Sequence, residues 1–307
     1  IEKIYSLLTK GAYIAHSGVT GYGEAFLKRA LGIDIGEVET IAHYRAAQFF
    51  CPDVSFILDI GGQDMKCTKL RDGYIEDIVL NEACSSGCGS FIDTFATSLR
   101  LPIEQFAKEG LLAPMPIDLG SRCTVFMNSK VKQAQKEGAT VPDIAAGLAY
   151  SVIKNALYKV LKVKDPKELG DHIVVQGGTF YNEAVLRAFE KLMGVEVIRP
   201  DVSGLMGAYG MALLASEAAG ELQNQHSTLL DSDGLKSLQV STSMRNCGLC
   251  SNNCMLTINA FSDGRTYVTG NRCDRGAGDM IQEKHKPVPN MVDVKLRRYF
   301  DYFLKKN

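Results

Sequence analysis

The sequence predicts a mixed α/β fold, because its strands and helices follow one another in an order that builds a covered sheet. Three strands are predicted in succession between residues 54 and 80, and helices then alternate with strands up to residue 215. Strands that are close in sequence pair as a sheet, and helices that alternate with them pack on its faces. The chain has 307 residues, of which 46% are apolar, enough for one large core or two ordinary ones.

The three strands are bounded by turn residues. Residues 54–60 are an apolar run that ends at Gly61-Gly62. The next two runs, 65–70 and 74–80, are separated by Arg71-Asp72-Gly73, which is typical of a hairpin turn.

Helices are indicated by apolar residues that recur on one face. Phe91, Phe95 and Leu99 are spaced four apart after a loop of small residues, and Ile144, Leu148 and further apolar residues repeat in the same way. The predicted helices are 90–99, 126–136, 142–163, 182–193 and 205–215, and two further strands are predicted at 172–176 and 195–198.

The two ends of the chain differ from this central unit. Residues 1–53 hold a helix, a strand, a glycine-rich turn and more helix, too little to close a sheet alone. Residues 218–245 are rich in Gln, Ser, Asp and Gly and are predicted to be a linker. Residues 246–307 hold a second group of cysteines and a short basic helix at 294–306. A start at Ile1 rather than Met suggests a piece of a longer protein.

Charge and hydropathy exclude several classes of partner. A net charge of −1 gives no basic surface for nucleic acid. The longest apolar stretch, residues 204–215, is shorter than the roughly 20 residues of a membrane span, and no signal peptide opens the chain. We therefore expect no nucleic acid, no membrane and a cytoplasmic location.

The chain has nine cysteines, an odd number in two groups, which fits a disulfide framework poorly. Metal or redox chemistry is the better expectation. Cys51 and Cys67 are isolated in apolar surroundings and are interpreted as packing residues. The first group is Cys84, Cys88 and Cys123, and the second is Cys247, Cys250, Cys254 and Cys273.

Two glycine pairs indicate a phosphate-binding site. In Asp59-Ile60-Gly61-Gly62-Gln63-Asp64, an acid at a strand end precedes two residues without Cβ, so backbone N–H groups can approach a phosphate while the acid reaches Mg²⁺. Taken alone, a tight turn that needs positive φ explains these residues equally well. The second pair, in Gln176-Gly177-Gly178-Thr179, lies between a strand and a helix, where an ordinary connecting turn is the alternative.

Together the two pairs resemble the phosphate-2 and adenosine segments of the actin, sugar kinase and Hsp70 superfamily, in which two ribonuclease-H-like subdomains close over ATP. This resemblance implies a complete second subdomain at 54–217 and a truncated first subdomain at 1–53. Leu31-Gly32-Ile33-Asp34-Ile35-Gly36 is similar to a phosphate-1 loop. We reject that match because Glu37 and Val38 follow it and no hairpin does. The phosphate-1 segment is expected upstream of Ile1, so we expect this chain to hold only part of the nucleotide site.

Cys84 and Cys123 each stand just before a predicted helix, where the helix dipole stabilises a thiolate. Small buried thiols are the alternative for both. From about Tyr13 to Ala215 the chain resembles the BadF/BadG/BcrA/BcrD/HgdC family of 2-hydroxyacyl-CoA dehydratase activators and benzoyl-CoA reductase ATPase subunits. The motifs that carry this resemblance are Thr20-Gly21-Tyr22-Gly23, Asp59 to Asp64, residues 81–91, residues 121–126, and Gly177-Gly178 with Asn182.

The resemblance implies an ATP-dependent electron-transfer activator that works anaerobically. Cys84 and Cys123 of two chains would hold one [4Fe-4S] cluster across a homodimer, and the partner would be a 2-hydroxyacyl-CoA dehydratase or related reductase. Cys88, where the family usually has Thr, is not expected to be a ligand. ATP or ADP with Mg²⁺ is implied, with Asp59 and Gln63 as catalytic residues and Gly61, Gly62, Asp64, Gly177, Gly178 and Asn182 as nucleotide-binding residues.

The second cysteine group, Cys247, Cys250, Cys254 and Cys273, lies on a short polar segment that has little core of its own. Four thiolates suit Zn²⁺ or an iron–sulfur cluster equally, and four unliganded thiols are the alternative. Two other functions remain open for the whole chain. The first is a non-hydrolysing regulatory or scaffold domain of a larger redox protein. The second is an actin-like kinase that needs no cluster.

Overall fold

The computed structural model describes residues 1–81, 88–121, 124–221, 226–277, 294–298 and 300. The chain forms two compact units. The smaller unit comprises Ile1–Leu7, Arg29–Leu31 and Leu230–Asn307, and the larger comprises Leu8–Lys28 and Gly32–Leu229. The predicted boundary after residue 53 falls inside the larger unit and stays a prediction.

The helices and strands have the following bounds. The helices are α1 (Glu2–Leu7), α2 (Glu24–Leu31), α3 (Glu39–Phe50), α4 (Gly89–Ser98), α5 (Ile103–Leu111), α6 (Thr124–Lys136), α7 (Val141–Lys154), α8 (Glu183–Met193), α9 (Met206–Glu221), α10 (Ser232–Ser237) and α11 (Asp274–Ala277). The strands are β1 (Gly18–Val19), β2 (Ile35–Gly36), β3 (Phe56–Ile60), β4 (Met65–Arg71), β5 (Tyr74–Asn81), β6 (Ile173–Gln176), β7 (Val240–Asn246), β8 (Met255–Phe261) and β9 (Thr266–Thr269).

The main sheet of the larger unit has the strand order β5-β4-β3-β6. Strand β3 pairs antiparallel with β4 and parallel with β6, so Leu58 lies between Cys67 and Val175. The predicted hairpin between β4 and β5 is confirmed: Asp72 and Gly73 have φ of 52° and 77°, the left-handed pair that a two-residue hairpin turn requires.

Helices cover both faces of this sheet, because side chains alternate along each strand. Phe56 and Leu58 of β3 are buried in a core shared with α4, α7 and α8. Ile57 points the other way, into a second core with Ala46 and Ala47 of α3. The predicted mixed α/β architecture is therefore present.

Several predicted elements need correction. The predicted helix 142–163 ends at Lys154 and continues as a π-helical turn, Asn155–Val160. The predicted strand 195–198 makes only an isolated bridge between Ile198 and Val174. Helix α5 was not predicted at all. The predicted linker 218–245 contains the end of α9, all of α10 and most of β7, and the boundary between the two units falls inside it, between Leu229 and Leu230, so its role as a linker stays a prediction.

Asp34 holds residues 31–36 in place, the segment that is similar to a phosphate-1 loop. Its carboxylate accepts hydrogen bonds from Ser17, Ser227 and Thr228 at 2.6 to 2.9 Å. Burial alone would raise the pKa of Asp34, but these hydrogen bonds outweigh it and hold the pKa well below its usual value. The side chain therefore joins three separate parts of the larger unit, and α3 rather than a hairpin follows β2.

The smaller unit contains an antiparallel sheet of order β7-β8-β9. The Arg265 guanidinium donates to the carbonyl oxygens of Arg29 and Ala30, which ties this sheet to the end of α2. Of its described residues, Ala30, Leu256 and Phe261 are the buried apolar ones, so the core is small. No helix in either unit, within the described ranges, is long and apolar enough to cross a membrane.

Candidate functional site

The two glycine-pair turns lie side by side at one end of the main sheet. The register places Asp59 of β3 beside Gln176 of β6, so the chain enters both turns at the same edge. The Thr179 hydroxyl then donates to the carbonyl oxygen of Gly61 at 2.8 Å. The two segments that the sequence assigned to one site are therefore in direct contact.

The start of α4 completes this arrangement. The backbone N–H groups of Gly89 and Ser90 donate to the carbonyl oxygens of Gly61 and Gly62, both at 2.9 Å. A Cβ on Gly89 would lie 2.6 Å from the Thr179 hydroxyl, too close for any side chain. Three backbone segments thus approach one another as closely as glycine allows.

The glycines of the two pairs have different reasons to be glycine. Neither Gly61 nor Gly62 is among the positive-φ glycines, so the tight turn that needs positive φ is wrong for the first pair. Gly177 does have a φ of 93°, and a Cβ there would collide with the carbonyl of Ile60. Gly178 has open space around it, which leaves its backbone accessible.

One cavity, which we call the Tyr181 cavity, opens beside these turns and has a volume of about 340 Å³. Its wall combines glycine backbone with apolar side chains from α4 and α5, and with residues that directly precede α8. Such a mixed wall suits a flat ring with a few polar groups. The lining residues are Gly62, Gly89, Ile92, Ile103, Glu104, Ala107, Gly178, Thr179, Tyr181 and Asn182.

A second cavity of about 560 Å³, the His43 cavity, lies on the other side of the first glycine pair. It is more polar, and the predicted site residues Gln63 and Asp64 both line it. The remaining lining residues are Thr20, Gly21, Tyr22, Glu39, His43, Gly204, Leu205, Gly207 and Ala208. Because Gly62 lines one cavity and Gln63 the other, the turn 61–64 separates them.

Asp59 is the buried acid behind the turn, with only 8% of its surface exposed. Its Oδ2 contacts Nδ1 of His43 and accepts a hydrogen bond of 3.0 Å from Nε2 of Gln176. The carbonyl oxygen Oε1 of Gln176 is buried and has no hydrogen-bond partner among the described residues. An unpaired buried acceptor is rare and calls for a functional explanation.

Lys66 of β4 supplies the positive charge of this region. Its ammonium contacts Oε2 of Glu39 at 2.7 Å and Oδ2 of Asp64 at 3.3 Å, and its side chain is 10% exposed. Burial alone would lower the pKa of Lys66, but the two carboxylates outweigh that effect and raise it above the usual value. Lys66 therefore carries a full charge at neutral pH.

Sequence reasoning missed His43, Glu39 and Lys66. A weak signal was present in α3, where Glu39 and His43 stand four residues apart on a helix otherwise rich in buried alanine. Asn182, in contrast, was predicted as a nucleotide-binding residue. Its side chain caps α8 by accepting from the N–H groups of Ala184 and Val185, and it lines the Tyr181 cavity.

The first cysteine group is placed only in part. Cys84 and Cys123, the predicted cluster ligands, lie outside the described residues. Cys88 is fully buried in the main core directly before α4. Burial raises the pKa of Cys67 to about 12 and that of Cys51, helped by Asp53, to about 11, so both remain thiols. Their interpretation as packing residues fits this burial.

The second cysteine group lies at one edge of the β7-β8-β9 sheet. Cys247, Cys250 and Cys254 are in the turn between β7 and β8, which the Cys247 N–H closes on the carbonyl of Cys254 at 2.8 Å. Cys273 follows β9, and the register of β8 with both neighbours brings the end of β9 to the same edge. Across the described ranges, no three His, Cys, Asp or Glu side chains are arranged to hold a metal ion. The four-cysteine metal site therefore stays a prediction.

Comparison with protein families matches most of the chain to one family. Residues 5–215 match the model of the BadF/BadG/BcrA/BcrD ATPase family. This segment contains both glycine pairs, both cavities and the first cysteine group.

Two relatives at about one third identity cover most of this segment. The 2-hydroxyisocaproyl-CoA dehydratase activator of Clostridioides difficile is 32% identical over 67% of this chain and 76% of its own length. The (R)-2-hydroxyglutaryl-CoA dehydratase activating ATPase of Acidaminococcus fermentans is 30% identical over 68% of this chain and 78% of its own.

Solved structures of such proteins share the fold. The Acidaminococcus fermentans dehydratase component A superposes with a TM-score of 0.61 at 31% identity, over 67% of this chain and 77% of that one. The Clostridium difficile 2-hydroxyisocaproyl-CoA dehydratase activator, solved with bound ADPNP, gives a TM-score of 0.63 at 31% identity, over 72% and 80%.

Proposed function

Because the chain belongs to the BadF/BadG/BcrA/BcrD ATPase family and has its actin-like fold, we propose that it is an ATP-dependent activator that passes an electron to a 2-hydroxyacyl-CoA dehydratase or related reductase. The observation that carries the proposal is the junction of the two glycine-pair turns over Asp59, with one cavity on each side. A nucleotide that crosses this junction would place its base in one cavity and its phosphates in the other.

The residues at the junction fit such a nucleotide. The Tyr181 cavity offers apolar walls for a base, with Asn182 and Glu104 as polar groups at its rim. The N–H groups of the turn 61–64 and the amide of Gln63 would meet phosphate oxygens. Asp59 would orient Mg²⁺ or the attacking water, and the unpaired Oε1 of Gln176 would accept a hydrogen bond from that water.

Cys84 and Cys123 would hold a [4Fe-4S] cluster together with the same residues of a second chain. Such a cluster supplies the electron that the activator delivers, and four thiolates from two chains satisfy its ligand requirement. Strand β5 ends at Asn81, three residues before Cys84 in sequence, and α4 begins at Gly89, five residues after it. Since Gly89 and Ser90 bond to the first glycine pair, the proposed nucleotide turn is bonded directly to the start of the helix that follows Cys84 in sequence.

The proposal predicts iron in the anaerobically purified chain. We expect about two iron and two sulfide ions per chain, which is one [4Fe-4S] cluster per dimer, and Mg²⁺-dependent ATP hydrolysis. Cys84→Ser and Cys123→Ser should lose these iron ions and their absorption, whereas Cys88→Ala should keep both. Iron and sulfide assays, mass measurement in solution and ATP-dependent reduction of a viologen dye provide the readouts.

The outcomes separate the alternatives. Colourless protein that phosphorylates a small acceptor would replace the activator by an actin-like kinase. Protein that binds ATP but neither hydrolyses it nor holds iron after anaerobic reconstitution would favour a regulatory or scaffold domain.

For the second cysteine group we propose a metal ion held by Cys247, Cys250, Cys254 and Cys273. The support is topological: all four lie at one edge of a sheet whose unit has little core, so a bound metal would add most of the stability the unit lacks. Zn²⁺ and an iron–sulfur cluster are both compatible with four thiolates.

A metal count in the full chain tests this site separately from the first. In the background Cys84→Ser/Cys123→Ser, we expect about one zinc ion, or one iron–sulfur cluster, per chain. Adding Cys247→Ser and Cys254→Ser should remove it, whereas adding Cys51→Ala should not. Equal metal contents in all three variants, or thiols that react fully with a maleimide before any chelation, would contradict the site.

A further inference from the structure

His43 lies between two carboxylates in the wall of the His43 cavity. Its Nδ1 contacts Oδ2 of Asp59, and its Nε2 is 3.8 Å from Oε1 of Glu39, one helical turn earlier in α3. The side chain is 17% exposed. Since an ionised carboxylate only accepts hydrogen bonds, the contact with Asp59 requires the proton on Nδ1.

Both donors that reach Asp59 engage the same oxygen. His43 and Gln176 meet Oδ2, while Oδ1 has no hydrogen-bond partner among the described residues. A Cβ on Gly177 would lie 2.7 Å from Oδ1, so this oxygen stands beside the second glycine pair. The torsion that turns a carboxylate is soft, and two donors on one oxygen fix it. The other oxygen is thereby held in one orientation between the two glycine-pair turns.

The imidazole ring of His43 is also held on the side away from Asp59. Lys66 anchors Glu39 through Oε2, which keeps Oε1 of Glu39 facing the ring. A Cβ on Gly207 would lie 2.7 Å from Nε2, so the glycine at this point of α9 lets the ring occupy its place. Lys66 also contacts Asp64. A continuous series of contacts therefore runs from Asp64 through Lys66, Glu39 and His43 to Asp59.

We propose that His43 is a positioning residue of the ATPase site, which turns the Asp59 carboxylate so that Oδ1 receives the Mg²⁺–nucleotide complex. This rests on the proposed nucleotide site but adds a residue that lies on α3, outside both glycine-pair motifs. His43 acts through Asp59, so removing it should disturb the metal and the rate more than the binding of the nucleotide itself.

Two substitutions separate the effect of the hydrogen bond to Asp59 from the effect of the volume of the imidazole ring. His43→Ala removes the donor to Asp59, whereas His43→Asn keeps an N–H group near the position of Nδ1. With the full chain, we expect His43→Ala to weaken Mn²⁺ binding to the protein–ADP complex about tenfold. We also expect it to lower kcat at least about tenfold, with KM within about threefold of the wild-type value. A roughly tenfold effect corresponds to the loss of one good hydrogen bond. His43→Asn should recover most of both effects.

A control and two contrary outcomes complete the experiment. His172→Ala removes an imidazole that is 53% exposed and pairs with the surface residue Asp53, so it should change neither readout. Wild-type Mn²⁺ affinity and kcat in His43→Ala, with ADP binding intact, would overturn the positioning role while leaving the proposed function in place. A wild-type chain that binds no nucleotide would overturn both. Electron paramagnetic resonance of Mn²⁺ reports the affinity even if turnover is slow.

Discussion

Asp59→Asn is expected to abolish most ATP hydrolysis while leaving the fold intact. The substitution changes no volume, but His43 and Gln176 both donate to the Oδ2 position. The amide must therefore place its oxygen there, which puts its NH2 group where Oδ1 stood. An NH2 group cannot bind Mg²⁺, so the variant loses the metal contact rather than weakening it.

The size of the effect follows from what the metal contributes. Lewis-acid stabilisation of phosphoryl oxygens is worth several kcal/mol, so we expect kcat to fall by about 10² to 10³. Binding of metal-free nucleotide should change little, because Asp59 is proposed to reach the nucleotide through the metal. Stability should not fall, because one negative charge leaves a region that also holds Glu39 and Asp64.

A matched control is available close by. Asp53→Asn removes a carboxylate that is 66% exposed and contacts His172 and the Cys51 thiol rather than the site, and it should keep full turnover. Steady-state ATPase assays with Mg²⁺ and Mn²⁺, alongside circular dichroism for the fold, make the comparison. If Asp59→Asn retains turnover within about threefold of wild type under the same conditions, Asp59 does not orient the metal, and the catalytic assignment fails.

The parts of the fold that the sequence predicted well are those decided by local chemistry. The hairpin at Asp72-Gly73 needs only two residues that tolerate positive φ, and the sequence supplies them. Asn182 caps the helix whose start it predicted. The superfamily resemblance implied one site for the two glycine pairs, and the strands that precede them are neighbours in the sheet.

Other features depend on contacts between distant segments. Nothing near His43 in sequence indicates Asp59, because the contact forms only when α3 packs on the sheet. The residues 195–198 are apolar enough for a strand, but only Ile198 reaches a partner. Helix α5 carried a signal that was overlooked: Phe106, Ala107 and Gly110 form its buried face at helical spacing. Strand β7 was lost in the predicted linker because all of its side chains are exposed, so no apolar pattern marks it.

Gly210→Ala is expected to destabilise the larger unit and to impair the site together. Helices α3 and α9 approach so closely here that a Cβ on Gly210 would fall well inside van der Waals distance of the carbonyl oxygen of Ala42. That oxygen is backbone and cannot swing aside. Ala42 is completely buried, so the helices must move apart to admit the methyl group. Overpacking of this kind costs about 1 to 3 kcal/mol or more.

The same displacement would reach the catalytic residues, because α3 carries Glu39 and His43 next to Ala42. We therefore expect Gly210→Ala to lower Tm by about 2 to 12 °C, at roughly 2 to 4 °C per kcal/mol for a unit of this size, and to reduce kcat as well. Gly220→Ala lies in the same helix, where an added Cβ meets nothing within 4 Å. It should leave Tm unchanged or raise it slightly, since alanine favours a helix by up to about 1 kcal/mol over glycine. Thermal unfolding and ATPase assays of both variants make the comparison. Equal Tm values would show that α3 and α9 are not in close contact at Gly210. A lower Tm with normal kcat would show that α3 can move without disturbing the contact between His43 and Asp59.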